Sequence, residues 1–298
     1  MIADIMPVFL FVAFGYAFKV FKRDISEGLI DFVICFSLPA LALVKIRALE
    51  FNAIVFDIIL IAYLAMLVAA IVSFLVGKFL KLERNILATF MVVSIFGNTS
   101  FVGFSYVESL YSSKELVYPL VYDQIGSFVA LLTIGMVLIS WGGQREEKTT
   151  LKQKLKMFFT PPLQAIIIAV LLHGVAFPDY VEGVLVKLEY TLIPLVTIIV
   201  GMKLEIKAFK NFFKESILAL CVKMIIVPFI MLLLLYPFFD FNAVWMKVTF
   251  IEIAMPPMTM ATVVAIRGGL NKDLAINTLG LGILFSFIVI PTWNFIIS

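Results

Sequence analysis

Long apolar runs, separated by short polar clusters, extend from one end of the chain to the other. A helix needs roughly 20 apolar residues to cross the hydrocarbon core of a bilayer. Ten segments satisfy this requirement, some of them with polar residues inside. They lie near residues 2–21, 26–46, 53–80, 86–110, 116–141, 160–177, 183–203, 211–238, 243–267 and 273–297. The pattern predicts an all-α integral membrane protein with ten transmembrane helices, called spans 1–10 below.

The composition supports a membrane location. Hydrophobic residues make up 63% of the 298 residues and charged residues 14%, and the mean hydropathy is +1.11. A soluble domain cannot bury so much apolar surface, whereas a lipid bilayer can cover it. The net charge is only +3, and no basic cluster with interleaved aromatic residues occurs. The lipid bilayer is therefore an expected partner, and nucleic acid is not.

The distribution of lysine and arginine predicts the orientation. The loops after spans 1, 3, 5, 7 and 9 contain 17 of the 23 basic residues, the other side contains 5, and Lys223 alone lies inside a span. Loops rich in Lys and Arg stay in the cytoplasm. Both termini are therefore expected outside, in a multi-pass protein of the plasma or inner membrane.

The two halves of the chain share a sequence pattern. In span 2, Glu27-Gly28 precedes Pro39 by twelve residues, and in span 7, Glu182-Gly183 precedes Pro194 by the same distance. This offset is 155 residues, and Ser113-Lys114-Glu115-Leu116 matches Asn271-Lys272-Asp273-Leu274 at an offset of 158. Five spans per half require the halves to be inverted, an architecture common among secondary transporters.

Spans 4 and 9 contain helix breakers at matching positions. The offset of 158 aligns Gly97-Asn98-Thr99 with Met255-Pro256-Pro257. A broken helix in a membrane must have its free backbone groups covered by protein or by a wet cavity. The N-terminal end of each second half-helix attracts anions, and the C-terminal carbonyls suit a cation. The two breaks predict a binding site near the midplane, although paired structural kinks are the alternative.

Ionisable residues inside spans are costly and therefore mark candidate functional positions. Asp123 with Gln124 lies in span 5, Glu252 is one turn before the double proline, and Lys223 is near the centre of span 8. Asp57 lies one turn into span 3, where an interfacial position is the simpler interpretation. Lys223 needs a carboxylate partner or loses its proton, and Asp123 and Glu252 are the candidates.

The sequence contains no recognisable enzyme motif. Nucleophile elbows, phosphate loops and metalloprotease helices are absent, and His173 is the single histidine. We therefore expect no catalytic residue, no metal site and no cofactor. Coupling to H+ or Na+ stays open, because carboxylates permit the first and exposed carbonyls the second.

Several segments resemble the auxin efflux carrier family, which includes PIN-type plant carriers and bacterial carboxylate permeases. The resemblance covers nearly the whole chain. The segments that carry it are Pro7-Val8-Phe9 through Gly15-Tyr16, Ser37-Leu38-Pro39-Ala40, Gly97-Asn98-Thr99, Asp123-Gln124 and Ala254-Met255-Pro256.

This resemblance implies the fold of bile acid/sodium symporters and sodium/proton antiporters. Scaffold spans 1–2 and 6–7 would occupy residues 1–50 and 160–208, and core spans 3–5 and 8–10 would occupy residues 51–141 and 209–298. A cytoplasmic linker, 142–159, would join the halves. It implies a homodimer formed through spans 2 and 7.

The same resemblance assigns roles to individual residues. The crossover asparagine of the family falls on Asn98 and its crossover proline on Pro256, while Gln124 and Asp57 resemble its support site. Gly97 stands where plant carriers have proline. The linker is much shorter than in many plant carriers, so regulation through it is not expected. Given these departures from the plant carriers, auxin itself is not implied.

These observations predict an elevator-type secondary transporter of a small organic anion, such as an auxin-like carboxylate or a dicarboxylate. The expected substrate-binding residues are Gly97, Asn98, Thr99, Ser100, Pro256, Pro257 and Thr259, with Pro39 and Pro194 closing the site. The expected ion-coupling or supporting residues are Asp57, Asp123, Gln124, Lys223 and Glu252. The alternatives are a cation/proton antiporter of the same fold and a membrane sensor that does not transport.

Overall fold

The computed structural model describes residues 2–49, 53–143, 159–204 and 211–298, and their regular structure is helical apart from one isolated β-bridge. The helices described here are α1 (Ile2–Phe21), α2 (Ser26–Lys45), α3 (Ala53–Phe79), α4 (Arg84–Ile95), α5 (Phe104–Leu110), α6 (Ser113–Gly142), α7 (Pro161–Leu171), α8 (Asp179–Lys203), α9 (Phe213–Leu235), α10 (Val244–Ile253), α11 (Thr259–Arg267) and α12 (Lys272–Ile297). A π-helical turn, Thr99–Gly103, leads directly into α5. The predicted linker falls mostly on residues outside these ranges.

The prediction of an all-helical multi-pass membrane protein is confirmed. Within the described ranges, α2, α3, α6, α8, α9 and α12 are each long and apolar enough to cross a bilayer. Each of the ten predicted spans coincides with helix, and spans 4 and 9 are each divided in two. Their number and their repeat relationship remain predictions.

Span 6 is shorter than the hydropathy pattern predicts. Helix α7 ends at Leu171, whereas the prediction extended to residue 177. The chain turns at Gly174, whose φ of +72° is a left-handed conformation that glycine adopts readily. Pro178 then begins the approach to α8, and the residue before a proline disfavours helix. The residues after Leu171 are still mostly apolar, but the turn at Gly174 ends the helix before them.

Helix α12 lies in the interior of the bundle. Of its most apolar stretch, 67% is buried, against 33–44% in the other five long helices. Those helices expose large apolar side chains, such as Phe56 on α3, Phe36 on α2 and Phe229 on α9. Such side chains are the expected surface of a protein that faces lipid.

Helices α1 and α8 pack with their backbones in close approach. A side chain at Gly15 would overlap the carbonyl of Ile198, and one at Gly201 would overlap the carbonyl of Val12. Small residues at a helix crossing permit this distance in membranes, where packing replaces the hydrophobic driving force. The two glycines therefore fix the α1–α8 contact.

Polar contacts join α2 to α8. The hydroxyl oxygens of Ser37 and Thr191 lie 2.8 Å apart and share a hydrogen bond. Ion pairs connect the ends of the two helices: Lys203 Nζ is 2.7 Å from Glu27 at one end, and Arg47 pairs with Glu182 at the other. A third pair, Lys45 with Glu189 at 2.9 Å, lies nearer the centre of α8. The helix pair is thus tied at its centre and at both ends.

Candidate functional site

The two helix breaks meet each other in the interior. Helix α4 ends at Ile95 and α10 ends at Ile253, and an antiparallel β-bridge pairs Gly97 with Pro257. Pro256 and Pro257 lack N–H groups and the residue before a proline avoids helix, which explains the α10 break. The two broken segments therefore lie against each other, and their meeting point is called the crossover below.

The backbone groups freed by the breaks satisfy each other. The N–H of Asn98 donates to the Pro256 carbonyl at 2.7 Å, and the N–H of Met258 donates to the Phe96 carbonyl at 2.9 Å. An unpaired backbone group in a membrane interior costs several kcal/mol. These two hydrogen bonds make the crossover compatible with burial.

The Asn98 side chain connects both second half-helices. Its Nδ2 donates to Thr259 Oγ1 at 3.0 Å, where α11 begins, and its Oδ1 accepts from the N–H of Phe101 at 3.2 Å. The second contact caps the turn that leads into α5. Asn98 is 1% exposed, so its amide serves the crossover internally in this conformation.

Lys223 lies at the carbonyl ends of the first half-helices. Its Nζ is 3.5 Å from the Ile95 carbonyl oxygen and 3.2 Å from that of Ile253, which end α4 and α10. The carbonyl end of a helix carries partial negative charge. The ammonium group of Lys223, which lies on α9, therefore contacts the carbonyl ends of both first half-helices.

Glu252 is buried beside the crossover. It is fully buried, and neither carboxyl oxygen has a hydrogen-bond partner among the described residues. A side chain at Gly103 would collide with both oxygens, so the glycine makes room for the carboxyl. Glu252 and Lys223 are electrostatic neighbours but lie beyond ion-pair distance.

Asp123 forms a second carboxyl site with two donors. The Thr99 hydroxyl donates to Oδ1 at 2.5 Å and the Gln124 amide donates to Oδ2 at 2.7 Å. Asp123 lies on α6 and is 1% exposed. It thus joins α6 to the start of the second half-helix of span 4.

A cavity of about 100 Å³ lies beside the crossover. Its polar lining comes from Ser100, Asp123 and Gln124 on one side and Thr160 on the other. The remaining lining is apolar: Ile34, Leu38, Phe101, Phe128, Pro162, Met258 and Met260. The cavity is therefore bounded by the crossover and α6, and by α2 and the start of α7.

The crossover, the internal polar cluster and the adjacent cavity are features that a carrier needs, and comparison with known proteins agrees. The family model described as membrane transport protein matches residues 1–294. The chain belongs to this family. It is the family of the auxin efflux carriers, so the resemblance seen in the sequence is confirmed. Its members are transporters and not enzymes.

Two archaeal relatives align along almost the whole carrier. An uncharacterized transporter of Methanothermobacter thermautotrophicus is 23% identical over 300 residues, which cover 98% of this chain and 97% of the relative. An uncharacterized transporter of Methanocaldococcus jannaschii is 25% identical over 305 residues, with the same two coverages. The similarity supports transport as the activity and leaves the substrate to be inferred from the site.

The structure brings most predicted site residues of the carrier together. Gly97, Asn98, Pro256, Pro257 and Thr259 form the crossover itself. A second group comprises residues that contact the crossover or line the adjacent cavity: Thr99, Ser100, Asp123, Gln124, Lys223 and Glu252.

Of the predicted site residues, Ser100, Asp123 and Gln124 line the cavity, and three others belong neither to the crossover nor to its neighbours. Pro39 follows Leu38, which lines the cavity, but Pro39 and Pro194 are absent from the described lining. Asp57 is half-buried and does not line the cavity either. The α3 residue that does contact α6 is Tyr63, whose hydroxyl donates to the Ile125 carbonyl. Asp57 lies six residues before it, or about 9 Å away along the helix.

Other residues of the site carried no signal in the sequence. Phe101, Met258 and Met260 are ordinary apolar residues, and only their position after the breaks brings them to the cavity. Thr160 and Pro162 were predicted merely as the start of span 6. Ser105 shares a hydrogen bond with Thr197 across α5 and α8 at 2.7 Å, a contact that hydropathy cannot predict.

Proposed function

We propose that the protein is an elevator-type secondary transporter that carries a small organic anion, specifically a carboxylate with an apolar body. The observation that carries this proposal is the cavity between the crossover and the helices α2 and α7. It combines a half-helix N-terminus, a small polar cluster and apolar walls in one space. Binding beside discontinuous helices is the usual arrangement in transporters of this type.

The recognition of an anion rests on α11. Met258 is its N-cap and supplies no side-chain hydrogen bond, while the first N–H groups of a helix have no intrahelical acceptor. Met258 and Met260 border the cavity. Of the described residues that line it, none is lysine or arginine, so the helix end is the expected source of positive potential.

The cavity walls favour a monocarboxylate over a dicarboxylate. Seven of the lining side chains are apolar, and the one charged group among the four polar residues, the carboxyl of Asp123, is itself acidic. A second carboxylate would have to be buried against apolar walls, which is costly without a paired charge. An apolar body opposite the carboxylate instead gains from burial.

Asp123 supports coupling to a proton. A substrate carboxylate beside an ionised Asp123 experiences repulsion between like charges in a medium of low dielectric constant. Protonation of Asp123 removes that repulsion and supplies a donor. The anion would therefore enter together with a proton.

Matched contacts support two inverted repeats of five spans. The Asn98–Pro256 hydrogen bond joins residues 158 positions apart, and the carbonyls nearest Lys223, those of Ile95 and Ile253, are also 158 apart. This is the offset of the repeated loop in the sequence. Contacts centred on equivalent residues are expected when a pseudo-twofold axis passes through the crossover.

The same pairing occurs between α2 and α8. Glu27 and Glu182 are matched in the sequence, Lys203 pairs with the first and Arg47 with the second. Within the second half Lys203 follows Glu182 by 21 positions, and within the first half Arg47 follows Glu27 by 20 positions. Each basic residue therefore pairs with the glutamate of the opposite half. The two ion pairs are thus approximately related by the proposed pseudo-twofold axis.

In the proposed mechanism, α3–α6 and α9–α12 move as the core against the scaffold of α1, α2, α7 and α8. A homodimer through α2 and α8 would hold the scaffold still in a plasma or inner membrane, with both termini outside. Exposed apolar residues on these helices, such as Phe36, Val184 and Tyr190, supply a surface for a partner.

Glu252 favours the second candidate, a cation/proton antiporter. A buried carboxyl without partners is costly, and release or uptake of a proton or cation is one reason to keep it. The two candidates differ in cargo, because the antiporter moves ions without any organic substrate.

Uptake into proteoliposomes tests the proposal. Labelled monocarboxylates with and without an apolar body, and dicarboxylates of similar length, are compared under imposed proton, sodium and voltage gradients. We expect saturable uptake of an apolar monocarboxylate driven by an inward proton gradient. Absence of organic anion flux together with Na+/H+ or K+/H+ exchange would favour the antiporter instead.

A further inference from the structure

Lys223 provides a positive charge where the crossover would otherwise need a free cation. Its Nζ lies 3.5 Å and 3.2 Å from the carbonyl oxygens that end α4 and α10. Those two ends carry the partial negative charges of both first half-helices. In carriers with broken helices, such carbonyl ends coordinate Na+ or another monovalent cation.

We propose that the Lys223 ammonium is a tethered substitute for that cation, so the carrier neither binds nor requires Na+ at its crossover. The side chain is 4% exposed and comes from α9, an element separate from both breaks. Gly97 leaves it room, because a side chain there would begin 3.2 Å from Nζ. The site is thus shaped around the ammonium.

The surrounding charges match a fixed cation. Glu252 is an electrostatic neighbour of Lys223, and Asp123 is a neighbour of Glu252. Two carboxyls and one ammonium leave a single carboxyl to be neutralised, and a proton does this without any metal ion. A covalently attached cation cannot leave the site, so it cannot couple transport to a sodium gradient.

The first test measures thermal unfolding of the purified protein in detergent, and it is independent of transport. Wild type is compared in NaCl, KCl and choline chloride at equal ionic strength. We expect the same Tm in all three salts. A saturable rise in Tm with Na+ over choline would reveal a free sodium site and overturn the proposal.

The second test removes the ammonium. Lys223→Met keeps the length of the side chain and exposes the two carbonyls to a free cation, while Lys214→Met changes an exposed lysine of the same helix. We expect Lys223→Met to lose thermal stability in choline and to regain at least about 2 °C in Na+, K+ or Li+, a ligand-linkage effect. Lys214→Met should behave as wild type.

Failure of these predictions has a defined meaning. If the Tm of Lys223→Met does not respond to Na+, K+ or Li+, the tethered-cation proposal is overturned, because the ammonium then does not occupy a position where a cation binds. If this variant does not fold, a saturable Na+ effect on the wild-type Tm would still overturn the proposal.

A transport measurement completes the test, and it is the one part of the test that rests on the proposed function. Wild-type anion uptake should be unchanged when Na+ is replaced by choline, and a sodium gradient should not drive it. Sodium-driven uptake would overturn the tethered-cation proposal while leaving anion transport intact. Absence of any anion uptake would refute the proposed function and leave the unfolding result as the decisive measurement.

Discussion

The backbone N–H of Asn98 donates a 2.7 Å hydrogen bond to the carbonyl oxygen of Pro256, and so joins the two broken helices at their centre. The two residues occupy matching positions in the halves of the sequence. The bond leaves the side chain of Asn98 available for Thr259 and for the cap on Phe101. The crossover therefore depends on asparagine through its side chain and on proline through its missing donor.

Asn98→Ala should impair transport more than stability. Removal of an N-cap costs about 1 kcal/mol of unfolding free energy, and loss of the Thr259 contact loosens the start of α11. We expect uptake to fall at least about tenfold, the effect of about 1.4 kcal/mol on a binding constant. Initial uptake rates and Tm check the two effects separately.

Asn271→Ala is the matched control for this variant. Asn271 caps α12 by accepting from the N–H of Leu274 at 2.9 Å, away from the crossover. A similar loss of stability with normal uptake is expected. Normal uptake by Asn98→Ala, or equal transport loss in both variants, would contradict a specific role for the crossover asparagine.

Asp123→Asn should uncouple transport from protons. The amide keeps the volume and can accept from Thr99, but it does not ionise. We expect anion binding to persist while an imposed pH gradient no longer accelerates uptake. Uptake measured at fixed voltage with and without the gradient gives the result.

Asp57→Asn serves as the comparison, because Asp57 lies outside the cavity lining. It should keep its proton-driven uptake. Loss of coupling in Asp57→Asn but not in Asp123→Asn would move the coupling site to α3, where the family resemblance suggested a supporting aspartate.

Gly103→Ala should destabilise the crossover. The added methyl group collides with both Glu252 oxygens, and overpacking of a buried site costs about 1–3 kcal/mol. Gly28→Ala, which meets no atom within 4 Å, should be neutral or stabilising by up to about 1 kcal/mol. Thermal unfolding of both variants provides the comparison.

A double variant identifies the cause of the Gly103 effect. Gly103→Ala combined with Glu252→Ala should be less destabilised than the sum of the two single variants, because shortening residue 252 removes the collision. Additive losses would show that the methyl group acts on something other than the Glu252 carboxyl.

A disulfide between core and scaffold should stop an elevator. The hydroxyl oxygens of Ser105 on α5 and Thr197 on α8 lie 2.7 Å apart, close enough for the sulfurs of two substituted cysteines to bond at about 2.0 Å. In a background with Cys35→Ala and Cys221→Ala, oxidised Ser105→Cys/Thr197→Cys should lose uptake. Reduction should restore it.

The control disulfide lies within the scaffold. The hydroxyl oxygens of Ser37 on α2 and Thr191 on α8 are 2.8 Å apart, and both helices belong to the scaffold that is proposed to stay still. Oxidised Ser37→Cys/Thr191→Cys should transport normally. Full transport with the core–scaffold disulfide intact would argue against an elevator.

Much of the helical architecture and of the candidate site could be predicted because membranes simplify the physics. Helices are the way an apolar chain satisfies its backbone in lipid, so hydropathy located the helical segments. The breakers at Asn98 and Pro256 were visible because glycine and proline act locally on the backbone. The end of α7 was predicted too late, since turn chemistry at Gly174 overrode an apolar composition.

Other features depended on distant parts of the chain. Lys223 was recognised as costly and was expected either to lose its proton or to have a carboxylate partner, whereas its hydrogen-bond acceptors are the backbone carbonyls of Ile95 and Ile253. The identity of the side chains cannot predict which carbonyls act as acceptors, because every residue has a backbone carbonyl. The Glu252 contact with Gly103 was equally hidden, since a missing side chain leaves no pattern.

The sequence by itself determined that the chain is a helical membrane protein and where two helices break. These properties follow from composition and local backbone chemistry. The tertiary structure alone decided what faces the breaks: Lys223 at their carbonyl ends, and a mostly apolar cavity beside the N-terminus of α11. Both arise from packing between helices far apart in the chain, where nearly every surface is apolar and hydropathy cannot distinguish one neighbour from another.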